Sequence, residues 1–305
     1  MVVANQNDVL FVCEFTTNHM GNLNLLLEMV KSASQVGADY IKMQKKDVDS
    51  FYSKEKLETP YNSPYGKTYQ EYRNIFEFSK RDFDLFDEEC KKYGMKWFAT
   101  AQDLPSLNFL LQYDLDMYKV ASCNSNKLEL LKEFALLIPK GKTVVVSCAG
   151  RTLEEVKTIV DTFPEHKMIL NHCVAEYPCP KESLKLGNIS VLKEMFESEK
   201  VKIGYSGHEE DLLSSYGAVS EGAKCLERHF CLSRHSFVHH IECSLEPDEY
   251  QEMTQTIKSN NIPKNIKELL GEEAFLTDFG MSKKERAFLI ENTYGSDYIG
   301  SNTKL

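Results

Sequence analysis

No apolar run in this chain approaches the length of a membrane span, and the first residues, MVVANQNDVL, show no basic stretch followed by an apolar one. Neither a membrane helix nor a secretory leader is expected. No C-x-x-C occurs, and the nine cysteines (positions 13, 90, 123, 148, 173, 179, 225, 231 and 243) are odd in number. A disulfide framework is therefore disfavoured. Several of these cysteines sit in apolar strand-like runs, where a thiol behaves as a small hydrophobe, so reduced core thiols in a cytoplasmic protein are expected. Positive charge is scarce: 36 Lys and Arg against 46 Asp and Glu, for a net charge of −10. A general nucleic-acid binder would need a basic face. An anionic small molecule stays open, because a few lysines can dominate a pocket. No G-x-G-x-x-G follows the first apolar run, which argues against a dinucleotide-binding open sheet. Internal repeats and low-complexity segments are missing too.

What the chain does contain is alternation. Nearly continuous apolar runs predict strands at 8–16, 39–44, 96–101, 117–122, 143–149, 167–174, 202–206 and 225–232. Amphipathic stretches between and after them predict helices at 24–36, 81–93, 127–136, 153–163, 189–196, 211–220 and 247–258. Gly37 and Gly94 stand where two of these helices should stop. Eight strands alternating with helices predict an α/β fold, a closed (β/α)8 TIM barrel, over residues 1–260. Residues 261–305 have weak periodicity and are expected as a tail packed on the barrel. Two insertions, 45–80 and 176–188, follow the second and sixth strands and should lie on the catalytic face.

Polar groups gather at the predicted strand ends: Glu14, Lys42, Gln44, Thr100, Lys119, Ser122, Ser147, His172, Ser206, His208, Glu227 and His229, with Tyr177 just beyond. Two lysines on apolar strands suit a phosphate or carboxylate, a Schiff base, or structural ion pairs. His208 and His229 on adjacent strands suit either a divalent metal or two hydrogen-bonded imidazoles. His235, His239 and His240 form a His-rich loop belonging either to the site or to the surface; His166 is expected on the surface.

Seven segments together carry a family likeness: EFTTNHMG (14–21), GADYIKMQ (37–44), YKVAS (118–122), HCVAEYP (172–178), IGYSGH (203–208), GAKCLERHF (222–230) and CSLEP (243–247). Their order and spacing resemble the catalytic barrel of the N-acetylneuraminate (sialic acid) synthases, which join phosphoenolpyruvate to an N-acetylhexosamine. The resemblance implies that Lys42, Thr100, Lys119, Ser122, Ser147 and Ser206 contact phosphoenolpyruvate. It implies that His208 and His229 hold a divalent metal, Mn²⁺ first, with Mg²⁺ or Co²⁺ as alternatives. Gln44, Tyr177 and His240 are then acceptor-sugar contacts, and Glu14 is the strand-one carboxylate. Four positions depart from the family pattern: Asn124, Ala175, Gly207 and His240. The antifreeze-like domain that usually follows the barrel is not expected here. A homodimer or a separate capping subunit is the partner that this implies.

Overall fold

The computed structural model describes residues 8–292. The expected tail beyond 292, and residues 1–7, lie outside the described residues. Among the described residues there are ten strands: β1 (Leu10–Glu14), β2 (Tyr40–Lys45), β3 (Pro60–Ser63), β4 (Gly66–Thr68), β5 (Lys96–Ala101), β6 (Met117–Val120), β7 (Thr143–Ser147), β8 (Lys167–Cys173), β9 (Val201–Gly207) and β10 (Cys225–His229). Eight of them form a closed barrel in the order β1-β10-β9-β8-β7-β6-β5-β2. Its pairs are all parallel. The barrel closes on β1, where Glu14 stands in register with Lys42 on one side and His229 on the other.

The two-residue period of a strand explains what faces where. Phe11 and Cys13, Ile41 and Met43, and Ala99 and Ala101 point outward and join the main core beneath the helices. Val12, Phe98, Met117, Val145, Ile169 and Cys225 point inward and plug the barrel floor. Moving two residues along each of these strands reaches Glu14, Thr100, Lys119, Ser147, Asn171 and Glu227. The apolar floor therefore hands over to a polar layer at the C-terminal end, where βα-loops build active sites. Gly204 makes room for one member of that layer: a Cβ there would lie 2.1 Å from Asn171 Oδ1.

The helices form where the periodicity predicts, with ends displaced by at most three residues. Ser79 and Asp82 cap Lys80–Lys92 reciprocally, as Thr152 and Glu155 cap Leu153–Thr162. Gly37 turns the chain into β2 at φ +82, a conformation that suits glycine. Two findings extend the sequence reading and one corrects it. The insertion 45–80 is ordered: it folds into helices Val48–Phe51, Lys54–Leu57 and Tyr69–Ile75 and the β3–β4 hairpin. An apolar cluster of its own, including Phe51, Tyr52, Leu57, Tyr69, Tyr72 and Phe76, holds it together. A further helix, Leu104–Leu110, escaped the periodicity because it is short; Asp103 caps it through the Ser106 amide at 2.7 Å. His166 is buried rather than exposed, and its Nε2 meets the Ile138 carbonyl at 3.1 Å. In the tail, Ile266, Leu270 and Ala274 pack into the main core, and a last helix runs over Lys283–Glu291.

Candidate active site

A cavity of about 370 Å³ opens at the C-terminal ends of the strands. Every site residue expected from the sequence lines it: Glu14, Lys42, Gln44, Thr100, Lys119, Ser122, Ser147, Tyr177, Ser206, His208, His229 and His240. His172 does not. It points away from the lumen, rests its ring against Tyr205 and bonds the Leu184 carbonyl at 2.8 Å.

At the base of the cavity four buried ionic groups interlock. Lys42 Nζ reaches Glu14 Oε2 at 2.9 Å and Glu227 Oε1 at 3.3 Å, and donates to Thr100 Oγ1 at 3.0 Å. Lys119 Nζ donates to the same Glu227 oxygen, as does Ser206 Oγ at 3.1 Å. Gln44 Nε2 donates to Glu14 Oε1 at 2.7 Å. Burial works to raise Glu227, but the Lys119 and Lys42 ammonium groups outweigh it and hold its carboxyl at about 2. Glu14 ends above the ordinary carboxylate range: burial pushes it up, and Lys42 does not fully compensate. Lys42 is raised, burial losing to Glu14 and Glu227, while burial lowers Lys119 despite Glu227. Glu14 is therefore the carboxyl of this set that takes a proton first. Glu227 Oε2 and Ser147 Oγ are buried without a hydrogen-bond partner, so polar capacity is left for a ligand.

Beside this set stand the two imidazoles, 5.4 Å apart between ring centroids. His208 Nδ1 lies 2.7 Å from the Val174 carbonyl, which can only accept. Nδ1 thus carries the proton, and Nε2 keeps the lone pair. His229 Nδ1 is buried with no partner. Burial lowers His208 to about 3 and His229 well below its ordinary value, so both rings are neutral, the state in which imidazole binds metals. The donor set fits a divalent ion with open coordination positions. Among the described residues no group of three His, Cys, Asp or Glu side chains surrounds a common point.

Tyr177 forms the wall above the imidazoles. Its ring centroid lies 4.1 Å from His208, 4.3 Å from His240 and 4.7 Å from Phe288. Burial raises its phenol well above 10, keeping it a neutral donor. His240 holds φ +62, an uncommon backbone state for a residue other than glycine, at the head of the turn Ile241–Cys243. The insertion roofs the outer half with Lys46, Tyr61, Tyr69, Tyr72 and Arg73. It docks on the loop after β10: Tyr61 Oη lies 2.9 Å from His239 Nε2, and Tyr65 Oη donates to the Phe237 carbonyl at 2.8 Å.

Several lining residues had no role in the sequence reading. Glu227, named among the strand-end polar groups but given no role, precedes His229 by two residues and so shares its inward face. Lys46 continues the spacing of Lys42 and Gln44. Arg73, Phe288, Leu289 and Asn292 carry no comparable signal, because only the folded insertion and tail bring them to the cavity.

The barrel and its ionic, imidazole-bearing cavity define an enzyme of the sialic acid synthase type. The chain belongs to the NeuB family, whose profile matches residues 29–269. It is 33% identical over 279 residues to the N-acetylneuraminate-9-phosphate synthase of Drosophila melanogaster, covering 88% of this chain and 74% of that protein. It is 29% identical over 269 residues to a pseudaminic acid synthase of Campylobacter jejuni, covering 82% and 73%. Among solved structures, the N-acetylneuraminic acid synthetase of Leptospira borgpetersenii in complex with citrate superposes with a TM-score of 0.73 at 27% identity, covering 92% of this chain and 90% of that one.

Proposed function

We propose that this enzyme condenses phosphoenolpyruvate with the open-chain aldehyde of an amino sugar, N-acetylmannosamine or a relative, to form a sialic-acid-like nonulosonate and free phosphate. The observation that carries this reading is the pairing, in one cavity, of two buried lysines with two neutral imidazoles. Family membership supports the same reaction class.

In this reading Lys42 and Lys119 hold the phosphate and carboxylate of phosphoenolpyruvate, with Thr100, Ser122, Ser147 and Ser206 supplying hydroxyls. Such charge-assisted bonds are worth more than neutral ones in a water-poor site. His208 and His229 would hold a divalent ion, Mn²⁺ first, with Mg²⁺ or Co²⁺ as alternatives. When bound, that ion supplies Lewis-acid polarisation of the aldehyde oxygen. C3 of phosphoenolpyruvate then bonds to the aldehyde carbon, and the aldehyde oxygen takes up a proton. Water adds at C2, and the bond from C2 to the phosphate oxygen breaks. Glu14 orients or deprotonates that water; its raised proton affinity and its tether to Gln44 suit the task. Gln44, Tyr177 and His240 position the sugar. Among the described residues no helix is long and apolar enough to cross a membrane, and all nine cysteines are buried free thiols, which supports a cytoplasmic setting. Phosphate release from phosphoenolpyruvate, measured with Mn²⁺ against a panel of aldoses, tests the proposal. No release with any amino sugar would refute it.

A further inference from the structure

One proposed metal ligand follows β9 and the other ends β10, and the two are not held alike. His229 closes β10 inside the barrel ladder, in register with Glu14. His208 stands one residue beyond the ladder, because the register between β9 and β10 ends at Gly207 opposite Arg228. On the β8 side, the Val174 carbonyl holds its Nδ1 at 2.7 Å and the Cys179 amide holds its carbonyl at 2.8 Å. On the β10 side, the connection runs through a side chain. Arg228 alternates with Glu227 and His229, so it points outward, toward the helix Leu213–Ser220. There it is fully buried. Its Nη1 donates to the Asp211 carbonyl at 3.0 Å and to Ser215 Oγ at 2.6 Å, and its Nη2 donates to the Glu209 carbonyl at 2.6 Å. Nη1 also lies 2.9 Å from Glu209 Oε1, and Tyr205 Oη donates to Glu209 Oε2 at 2.9 Å. One guanidinium thus clasps the segment after His208 at Glu209, Asp211 and Ser215. Gly207 leaves room for the clasp: a Cβ there would lie 2.5 Å from Glu209 Oε1 and 2.8 Å from Tyr205 Cε1.

A buried ion pair is a costly way to fill the layer between strand and helix, since apolar side chains of similar volume fill it with no charge to desolvate. What the pair adds is direction. A planar guanidinium fixes its acceptors in a fork, and this one sits in the chain between Glu227 and His229. Resting on the metal assignment above, we infer that Arg228 and Glu209 are positioning residues, which lock the loop after β9 to β10 and so hold His208 at the spacing from His229 that lets both imidazoles share one ion. The donor-site groups of the same strands do not depend on this lock, because Ser206 and Glu227 stand opposite each other within the ladder.

Two titrations of the full chain test this: one with Mn²⁺, read from the electron paramagnetic resonance signal of the free ion, and one with phosphoenolpyruvate in EDTA, read by calorimetry. Glu209→Gln keeps the volume and removes the charge. Gly207→Ala keeps both charges and pushes the carboxylate out of its place. Each is expected to weaken Mn²⁺ binding by about tenfold or more, the usual effect of losing a group that orients a metal's histidines, while phosphoenolpyruvate affinity stays within about twofold. Linkage requires the converse in the wild-type chain, where Mn²⁺ should slow amide exchange over residues 209–215. Unchanged Mn²⁺ affinity in a folded variant overturns the inference. An equal loss of phosphoenolpyruvate affinity also overturns it, by making the pair a general prop of the barrel mouth. Exchange at 209–215 that ignores the ion overturns it too, and this measurement stands even if neither variant folds. A wild-type chain that binds no divalent ion refutes the metal assignment itself, and the inference falls with it.

Discussion

One oxygen of Glu227 receives Lys42, Lys119 and Ser206, so this carboxylate organises the inner cations before any substrate arrives. Breaking a buried pair leaves its partner uncompensated, at a cost of about 3–5 kcal/mol. Lys119→Met is therefore expected to lower stability by that order and, in the folded fraction, to weaken phosphoenolpyruvate about tenfold or more while sparing the acceptor. Paired titrations check this; a loss confined to the acceptor would move Lys119 out of the donor site. The imidazoles differ from each other: His229 Nδ1 is buried with no hydrogen-bond partner, whereas His208 Nδ1 donates to the Val174 carbonyl at 2.7 Å. Both His208→Ala and His229→Ala should abolish turnover, His229→Ala with the smaller loss of stability and His208→Ala with a further cost of about 1–3 kcal/mol for the unsatisfied Val174 carbonyl; chelation of the wild-type enzyme should abolish turnover too. Full activity after exhaustive EDTA treatment would contradict the metal assignment.

At the scale of elements, the tail enters the site by an apolar route. Lys283 and Lys284 are exposed and do not line the cavity, nor does Arg286; Phe288, Leu289 and Asn292 do. Phe288 lies against Tyr177 and His240, the two proposed sugar contacts. Phe288→Ala should therefore raise the acceptor KM several-fold and leave phosphoenolpyruvate affinity unchanged; an unaltered acceptor KM would limit the last helix to a structural role. The barrel strands were legible because parallel strands beneath helices are apolar on both faces and stand out as runs. Lys42, Lys119, His208 and His229 were legible because a charged or imidazole group at the end of such a run has no other home. The insertion was not, since its order comes from tyrosine rings meeting across turns: Tyr61 on Tyr72 at 4.5 Å and Tyr52 on Tyr69 at 5.1 Å. No single-period pattern encodes such contacts, and Arg73 became visible only with them.

For the whole molecule, buried titratable groups set the pH range of stability. Burial holds His19 and His172 at about 4, against an ordinary value of 6.5. The unfolded chain accepts protons that these sites refuse, so their contribution is complete above about pH 6.5 and is lost as pH falls toward 4. Glu227, held at about 2, extends the loss: its contribution is present above the ordinary 4.5 and disappears as pH falls through 2. Glu14, raised, acts in the opposite sense, and its contribution fades as pH rises. Denaturation midpoints should fall steadily from pH 7 to pH 4.5, and His172→Gln should flatten that slope; a level profile would contradict the neutral burial of these rings. The closing seam between β1 and β10 bears on biosynthesis. Glu14 is made first, and its neighbour His229 emerges more than two hundred residues later. Until then a nascent chain carries Lys42 and Lys119 without Glu227, and its first strand has one bare edge. Such an intermediate exposes apolar surface on the ribosome, so chaperone demand should be greatest just before β10 is synthesised and drop once it pairs.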